Sequence, residues 1–300
     1  MQFPNIDPIL VHIGPFAIRW YALAYVAGIL LGWRYATGLL RNPRLWTRRP
    51  APFTPEQMDD LILWIALGVI IGGRLGHVLF YTPTMIWENP IGIVKVWEGG
   101  MSFHGGVIGV SIAMIGFAWR NGLDLLRMAD VVSAAYPIGH FLGRIANFIN
   151  GELWGRPAPD LPWAMVFCND QIRETYGYCP AGMVPRHPSQ LYEAFFEGLV
   201  LFLILRWATH GAKLGNRRGV VVGIFLVFYG LFRIAIETVR EPDAGMPNFP
   251  LGLTMGMILS IPMVFAGAFL IWRGMREPLP PPTAAEAQAG APGRPEPRSA

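Results

Sequence analysis

The chain has 300 residues, of which 53% are hydrophobic and only 15% charged, and its mean hydropathy is +0.37. That excludes an ordinary soluble domain, where roughly a quarter of residues are charged, and indicates a membrane protein. The net charge of +4 is modest, its placement matters more than its size, and no nucleic-acid partner is expected.

Residues 1–15 contain Pro4, Pro8, Gly14 and Pro15 but no Lys or Arg, so they lack the basic start of a cleavable signal peptide and are expected to be retained. Apolar runs near the spanning length of about 20 residues follow at 16–39, 57–80, 104–120, 128–149, 188–208, 219–239 and 252–272. Pro137 interrupts the fourth and the third is short, so six spans are an alternative; composition around both favours seven. The expectation is an all-α polytopic membrane protein. Segment 151–187, with five prolines, makes a small cap between spans four and five. The tail 278–300, rich in Pro, Ala and Gly, is expected to be disordered, leaving 1–277 as a single transmembrane catalytic domain.

Orientation follows from basic residues in the connections. Arg41, Arg44, Arg48, Arg49, Arg120, Arg127, Arg206, Lys213, Arg217, Arg218 and four tail arginines make fourteen on one side. Lys95, Arg156, Arg173, Arg186 and Arg240 make five on the other. The first side is therefore expected to be cytoplasmic, with the N-terminus and cap outside and the C-terminus inside. Spacings such as Gly68/Gly72, Gly72/Gly76, Gly105/Gly109 and Gly252/Gly256 read as close helix packing.

With this topology Tyr21, Arg74, His104, Arg144, Asn147, Tyr229, Arg233 and Glu237 share one depth, in the outer half of the membrane. Ionisable groups there are costly and face a protein or water-filled interior. Each has a plainer alternative. Arg233, Glu237 and Arg240 suit a structural salt bridge, Arg74 suits snorkelling to the headgroups, and a single interfacial His104 suits packing. Converging arginines favour a phosphate, which guanidinium groups bind bidentately. The residues alone thus point to a membrane enzyme or carrier acting on an anionic phospholipid.

The stretch Gly143-Arg144-Ile145-Ala146-Asn147-Phe148-Ile149-Asn150-Gly151-Glu152-Leu153-Trp154-Gly155-Arg156 resembles the signature of the prolipoprotein diacylglyceryl transferase family. In order along the chain, Trp20-Tyr21, Gly72-Gly73-Arg74, residues 99–106 around His104, Arg186-His187-Pro188-Ser189-Gln190-Leu191-Tyr192-Glu193, Tyr229-Gly230-Leu231-Phe232-Arg233 with Glu237, and Arg240-Glu241-Pro242-Asp243 extend the resemblance over roughly 3–275. It implies an enzyme of the bacterial inner membrane. The reaction moves the diacylglyceryl group of phosphatidylglycerol to the lipobox cysteine thiol in the signal peptide of a prolipoprotein, forming a thioether and releasing glycerol phosphate, with no cofactor or metal.

By the same resemblance His104, Arg144 and Arg233 are the expected catalytic residues. Arg144 and Arg233 hold the phosphate, while His104, with an arginine as the alternative, assists loss of the thiol proton. Tyr21, Asn147, Glu152, Gly155, Tyr229 and Glu237 are expected to bind substrate alongside the two arginines: Asn147 by orienting the headgroup, Glu152 and Gly155 by shaping the exit to the cap, Tyr229 and Glu237 by lining the site or holding Arg233. Membrane lipids surround the protein as further partners. The sequence departs from the family pattern at Arg19, at Ala146 in place of a frequent glycine, and at His140 in place of an apolar residue. Cys168 and Cys179 both fall in the cap on the oxidising side, where a disulfide is plausible. A phospholipid or anion transporter is the alternative function and a structural scaffold a third, though a transporter would carry polar groups into the inner half as well.

Overall fold

The computed structural model describes residues 1–14, 16–242 and 249–281. Asp243 and most of the expected disordered tail, 282–300, lie outside the described residues. The chain begins with a hairpin, β1 (Ile9–Ile13) antiparallel to β2 (Phe16–Arg19). Long helices follow: α1 (Trp20–Arg41), α2 (Pro55–Tyr81), α3 (Phe103–Arg120), α4 (Leu125–Ile149), α5 (189–211), α6 (Val220–Glu237) and α7 (Met255–Arg276).

The hairpin corrects the all-α expectation and the start of the first apolar run. Gly14 turns the chain at φ 59°, and the β-branched Ile9, Val11, Ile13 and Ile18 favour pleated backbone. Helix therefore begins at Trp20, whose N–H still bonds the Pro8 carbonyl at 3.0 Å.

Helices α1, α2, α3, α6 and α7 are long and apolar enough to cross a membrane. Only 11–33% of the residues in their most apolar stretches are buried, so their hydrophobic side chains face outward, as lipid requires. Helices α4 and α5 fall outside that group. Helix α5 is α-helical over Ser189–Glu193 and Leu201–Arg206 and π-helical over Ala194–Val200 and Trp207–Gly211. The wider π turns coincide with functional positions in many helices, and here the first holds Glu197.

Three of the expected glycine spacings, Gly68/Gly72, Gly72/Gly76 and Gly105/Gly109, form a single contact between α2 and α3. A Cβ on Gly72 would come within 2.7 Å of the Gly109 Cα, and one on Gly76 within 2.6 Å of the Gly105 Cα. Both approaches are closer than real Cβ atoms reach, so only glycine lets these backbones touch. Gly256 packs instead against Glu237, and Gly252 sits at φ 70° with open space around it. Between α4 and α6 the buried Asp130 caps a helix start. Its two oxygens accept from the N–H groups of Gly219 and Val222, each at 2.8 Å, which satisfies donors that a buried helix start leaves open.

At one end of the bundle the segment between α4 and α5 folds over the helices. Its small core joins Phe167, Ile172 and Ala181 to Phe3 of the N-terminus, with Phe148, Trp154 and Met165 packed around them. The N-terminal ammonium donates to the Ala164 carbonyl at 2.5 Å, so the N-terminus and this cap share one end. Cys168 and Cys179 are joined in a disulfide.

Candidate active site

The motif stretch ends α4 and turns sharply beneath the cap. Gly151 and Leu153 both adopt left-handed backbone, at φ 66° and 58°, which costs a non-glycine residue such as Leu153 about 1–2 kcal/mol. Two side chains from the start of α5 hold this strained turn. Ser189 Oγ donates to the Leu153 carbonyl at 3.0 Å and Gln190 Nε2 to that of Glu152 at 2.5 Å. The Glu152 side chain accepts from Asn147 Nδ2 at 2.7 Å and, more loosely, from Asn150 Nδ2 at 3.4 Å. Tyr21 faces Asn147 and Glu152, and its hydroxyl lies 3.1 Å from that of Tyr25.

Gly155 follows at a point of backbone contact. Its N–H bonds the His187 carbonyl at 2.8 Å, and a Cβ there would meet the Val239 carbonyl oxygen and the His187 Cβ at 2.6 Å. Arg186 ties the same region together, donating to the Ala181 carbonyl at 2.7 Å and the Gly155 carbonyl at 3.1 Å while pairing with Glu241 at 3.0 Å. His187 lies 3.3 Å from the Tyr192 hydroxyl, and burial pushes its imidazole down from the usual histidine range.

Beneath this turn, α4, α5 and α6 converge on one carboxylate. Glu193, fully buried on α5, meets Arg144 Nη1 at 3.0 Å, Arg233 Nη1 at 2.6 Å and Arg240 Nε at 3.5 Å. Arg233 also pairs with Glu237 one turn along α6, and Arg240 Nη1 reaches the same Glu237 at 3.5 Å. A second buried pair adjoins the first, His140 Nε2 lying 2.8 Å from Glu197. Tyr136 sits 3.2 Å from His140 Nδ1, Arg144 Nε 3.5 Å from its Nε2, and the Tyr229 ring stands edge-on to it.

Three arginines thus face three glutamates, and the cluster is neutral before His140 is counted. Desolvated charges persist only when so paired. Arg144 and Arg233 remain partly accessible, with side-chain exposures of 17% and 14% against 0% for Glu193. A guanidinium has five N–H donors, and neither arginine exhausts them on these partners. The arrangement presents two preorganised cations to a ligand while their inner faces stay neutralised.

Of the expected residues, Arg144, Arg233, Glu237 and Tyr229 come together here, and Tyr21, Asn147, Glu152 and Gly155 form the adjoining turn. His104 stands apart. It is exposed at the start of α3, with an edge-on contact to the Phe103 ring and no hydrogen bond or ion pair to the arginine cluster among the described residues. Arg74 also belongs elsewhere: it is buried and donates to the carbonyls of Ile93 at 3.0 Å, Gly100 at 3.2 Å, Gly92 and Gly99, pinning the loop before α3. Glu193 and Glu197 were not singled out from sequence. Beyond Glu193's place at the end of the family-like stretch 186–193, their signal in the sequence is an acidic residue inside an apolar run, spaced i,i+4 along one helix face.

A family model described as prolipoprotein diacylglyceryl transferase matches residues 8–273. Among similar proteins is the phosphatidylglycerol–prolipoprotein diacylglyceryl transferase of Phenylobacterium zucineum, 69% identical over 94% of this chain and 97% of its own length. Proteins of the same description from Caulobacter sp. strain K31 and Bradyrhizobium diazoefficiens are 57% and 52% identical. These matches cover 95% and 94% of this chain and 98% and 96% of theirs.

Proposed function

The chain belongs to the prolipoprotein diacylglyceryl transferase family, and we propose from its site how it carries out that reaction. It transfers the diacylglyceryl group of phosphatidylglycerol to a prolipoprotein, in the maturation of bacterial lipoproteins. The acceptor is the lipobox cysteine thiol of the signal peptide. Sulfur attacks the glycerol carbon bearing the phosphate ester, the carbon–oxygen bond breaks, and glycerol phosphate leaves with that electron pair. The product is a thioether. Since no acyl group moves, no enzyme nucleophile is needed; the chain must supply positioning, a proton acceptor and charge stabilisation on the leaving phosphate.

The observation that carries this reading is the tethering of Arg144 and Arg233, from two helices, on the one buried carboxylate of Glu193 at 3.0 and 2.6 Å. Their remaining donors bind the phosphate oxygens, and Glu193 fixes the spacing between them. Glu237 holds Arg233 from the other side. Asn147, oriented by Glu152, contacts the headgroup, and Tyr21 and Tyr229 line the approach. His104, exposed at the same end of the bundle, takes the thiol proton. A free thiol titrates near pH 8.5, so the base has only a modest shift to make.

We further infer that the chain is a multi-pass protein of the inner membrane with seven spans. Helices α4 and α5 are included because at about 1.5 Å per residue both exceed the roughly 30 Å hydrocarbon core. The fourteen-to-five distribution of basic residues supports an outward cap and N-terminus. To test the function, purified protein is incubated in detergent with phosphatidylglycerol and a lipobox peptide, and the peptide is weighed. A diacylglyceryl mass gain is expected, and its absence under conditions where a known transferase is active would refute the reading.

A further inference from the structure

At the end of the bundle away from the cap, a groove of about 660 Å³ opens between α1 and α5. Arg206 follows Glu193 by thirteen residues on α5, and Arg34 follows Tyr21 by thirteen on α1, each about 20 Å of helix rise, so the groove's arginines are well separated from the arginine and glutamate cluster. Arg34, Arg41, Arg206 and His210 line it, beside Tyr35 and Thr37. Among the described residues none of the three guanidinium groups forms an ion pair. Cations in the active site are all neutralised by carboxylates, and these are not.

A second feature is independent of charge. Thr37 is only 5% exposed, and its hydroxyl has no hydrogen-bond partner, whereas the Tyr35 hydroxyl faces Thr209 and Arg206. Buried hydroxyls are ordinarily satisfied, so this open donor on the wall of a cationic groove is available to an anionic acceptor. Two acidic side chains adjoin other lining residues. Glu56 is beside Arg41, and Asp59 accepts from Trp33 Nε1 at 2.5 Å. Arg34 and Arg206 are thus left as the partners for an anion. The remaining walls are apolar, with Leu31, Leu39 and Ile138, and Leu30, Leu203 and Trp207, next to lining residues along α1 and α5, are exposed.

We propose that this groove binds the phosphate of an anionic phospholipid from the leaflet opposite the active site, with Arg34 and Arg206 on the phosphate and acyl chains over Leu31 and Ile138. The apolar walls favour a lipid over free phosphate. The site does not depend on the transferase reading, and it lies apart from every residue assigned to that reaction.

Native mass spectrometry of the purified full chain, titrated with phosphatidylglycerol or phosphatidylcholine, tests this. Wild type should retain one more phosphatidylglycerol at saturation than Arg34→Gln/Arg206→Gln, while Arg34→Lys/Arg206→Lys stays near wild type. Each single glutamine variant should weaken that adduct about tenfold, as expected for loss of one charge-assisted hydrogen bond, which keeps the test decisive if the double variant does not fold. Thermal unfolding and transfer turnover of the variants serve as folding controls. Equal phosphatidylglycerol occupancy in wild type and the glutamine variants would overturn the proposal. So would equal retention of phosphatidylcholine, or displacement of the lipid by millimolar inorganic phosphate.

Discussion

Glu193→Gln tests the tether directly. The wild-type carboxylate is fully buried and meets three guanidinium groups at 3.0, 2.6 and 3.5 Å. Glutamine keeps the size but removes the charge and exchanges one acceptor for an amide N–H₂, which must face an arginine donor. Removing one partner of a buried ion pair costs about 3–5 kcal/mol, so the unfolding temperature should fall clearly. Arg144 and Arg233 then lose their common anchor. A misplacement of about 1 Å in a positioning group lowers rate roughly 10²-fold, equivalent to about 2.7 kcal/mol at 1.36 kcal/mol per tenfold. The expected result is a loss of 10²-fold or more in kcat/KM, measured by mass spectrometric turnover of a lipobox peptide, with Glu193→Asp intermediate. Turnover within about threefold of wild type and an unchanged unfolding temperature would refute the argument that Glu193 sets the arginine spacing.

Arg144→Ala and Arg233→Ala should each cut turnover about 10²–10³-fold, the scale for losing a preorganised charge donor, while circular dichroism shows a folded protein. His104→Ala should be slow near pH 7 and recover relative to wild type as pH rises past 8.5, where the thiol ionises without help; a deficit unchanged at pH 9 would remove His104 from that role. Gly155→Ala forces a Cβ to within 2.6 Å of the Val239 carbonyl oxygen and the His187 Cβ. It should destabilise the cap junction by about 1–3 kcal/mol, seen as a lower unfolding temperature.

The long helices were legible because lipid demands unbroken apolar runs, and all seven runs contain a helix within a few residues of the expected limits. The hairpin at 9–19 was not. Its second strand falls within the apolar run that continues into α1, and composition cannot separate a strand from a helix in so short a run. Arg144 and Arg233 stood out as arginines in apolar surroundings, but their link required Glu193, which reads locally as one acid in a helix and becomes central only when three helices meet. His140 looked like a departure from a motif; against Glu197 at 2.8 Å it has a definite partner. Arg74 shows the converse. Depth alone groups it with the other arginines, whereas the carbonyls of the loop before α3 absorb its donors.

The claim at the centre is that sulfur displaces a phosphate ester at carbon, with Arg144 and Arg233 on the departing phosphate. The most direct measurement follows the lipobox peptide and released glycerol phosphate together, then treats the product with hydroxylamine. One glycerol phosphate per modified peptide, a bond to sulfur that survives hydroxylamine, and loss of both signals in Arg144→Ala and Arg233→Ala are predicted. A hydroxylamine-labile thioester formed without glycerol phosphate would mean acyl transfer and would contradict the account.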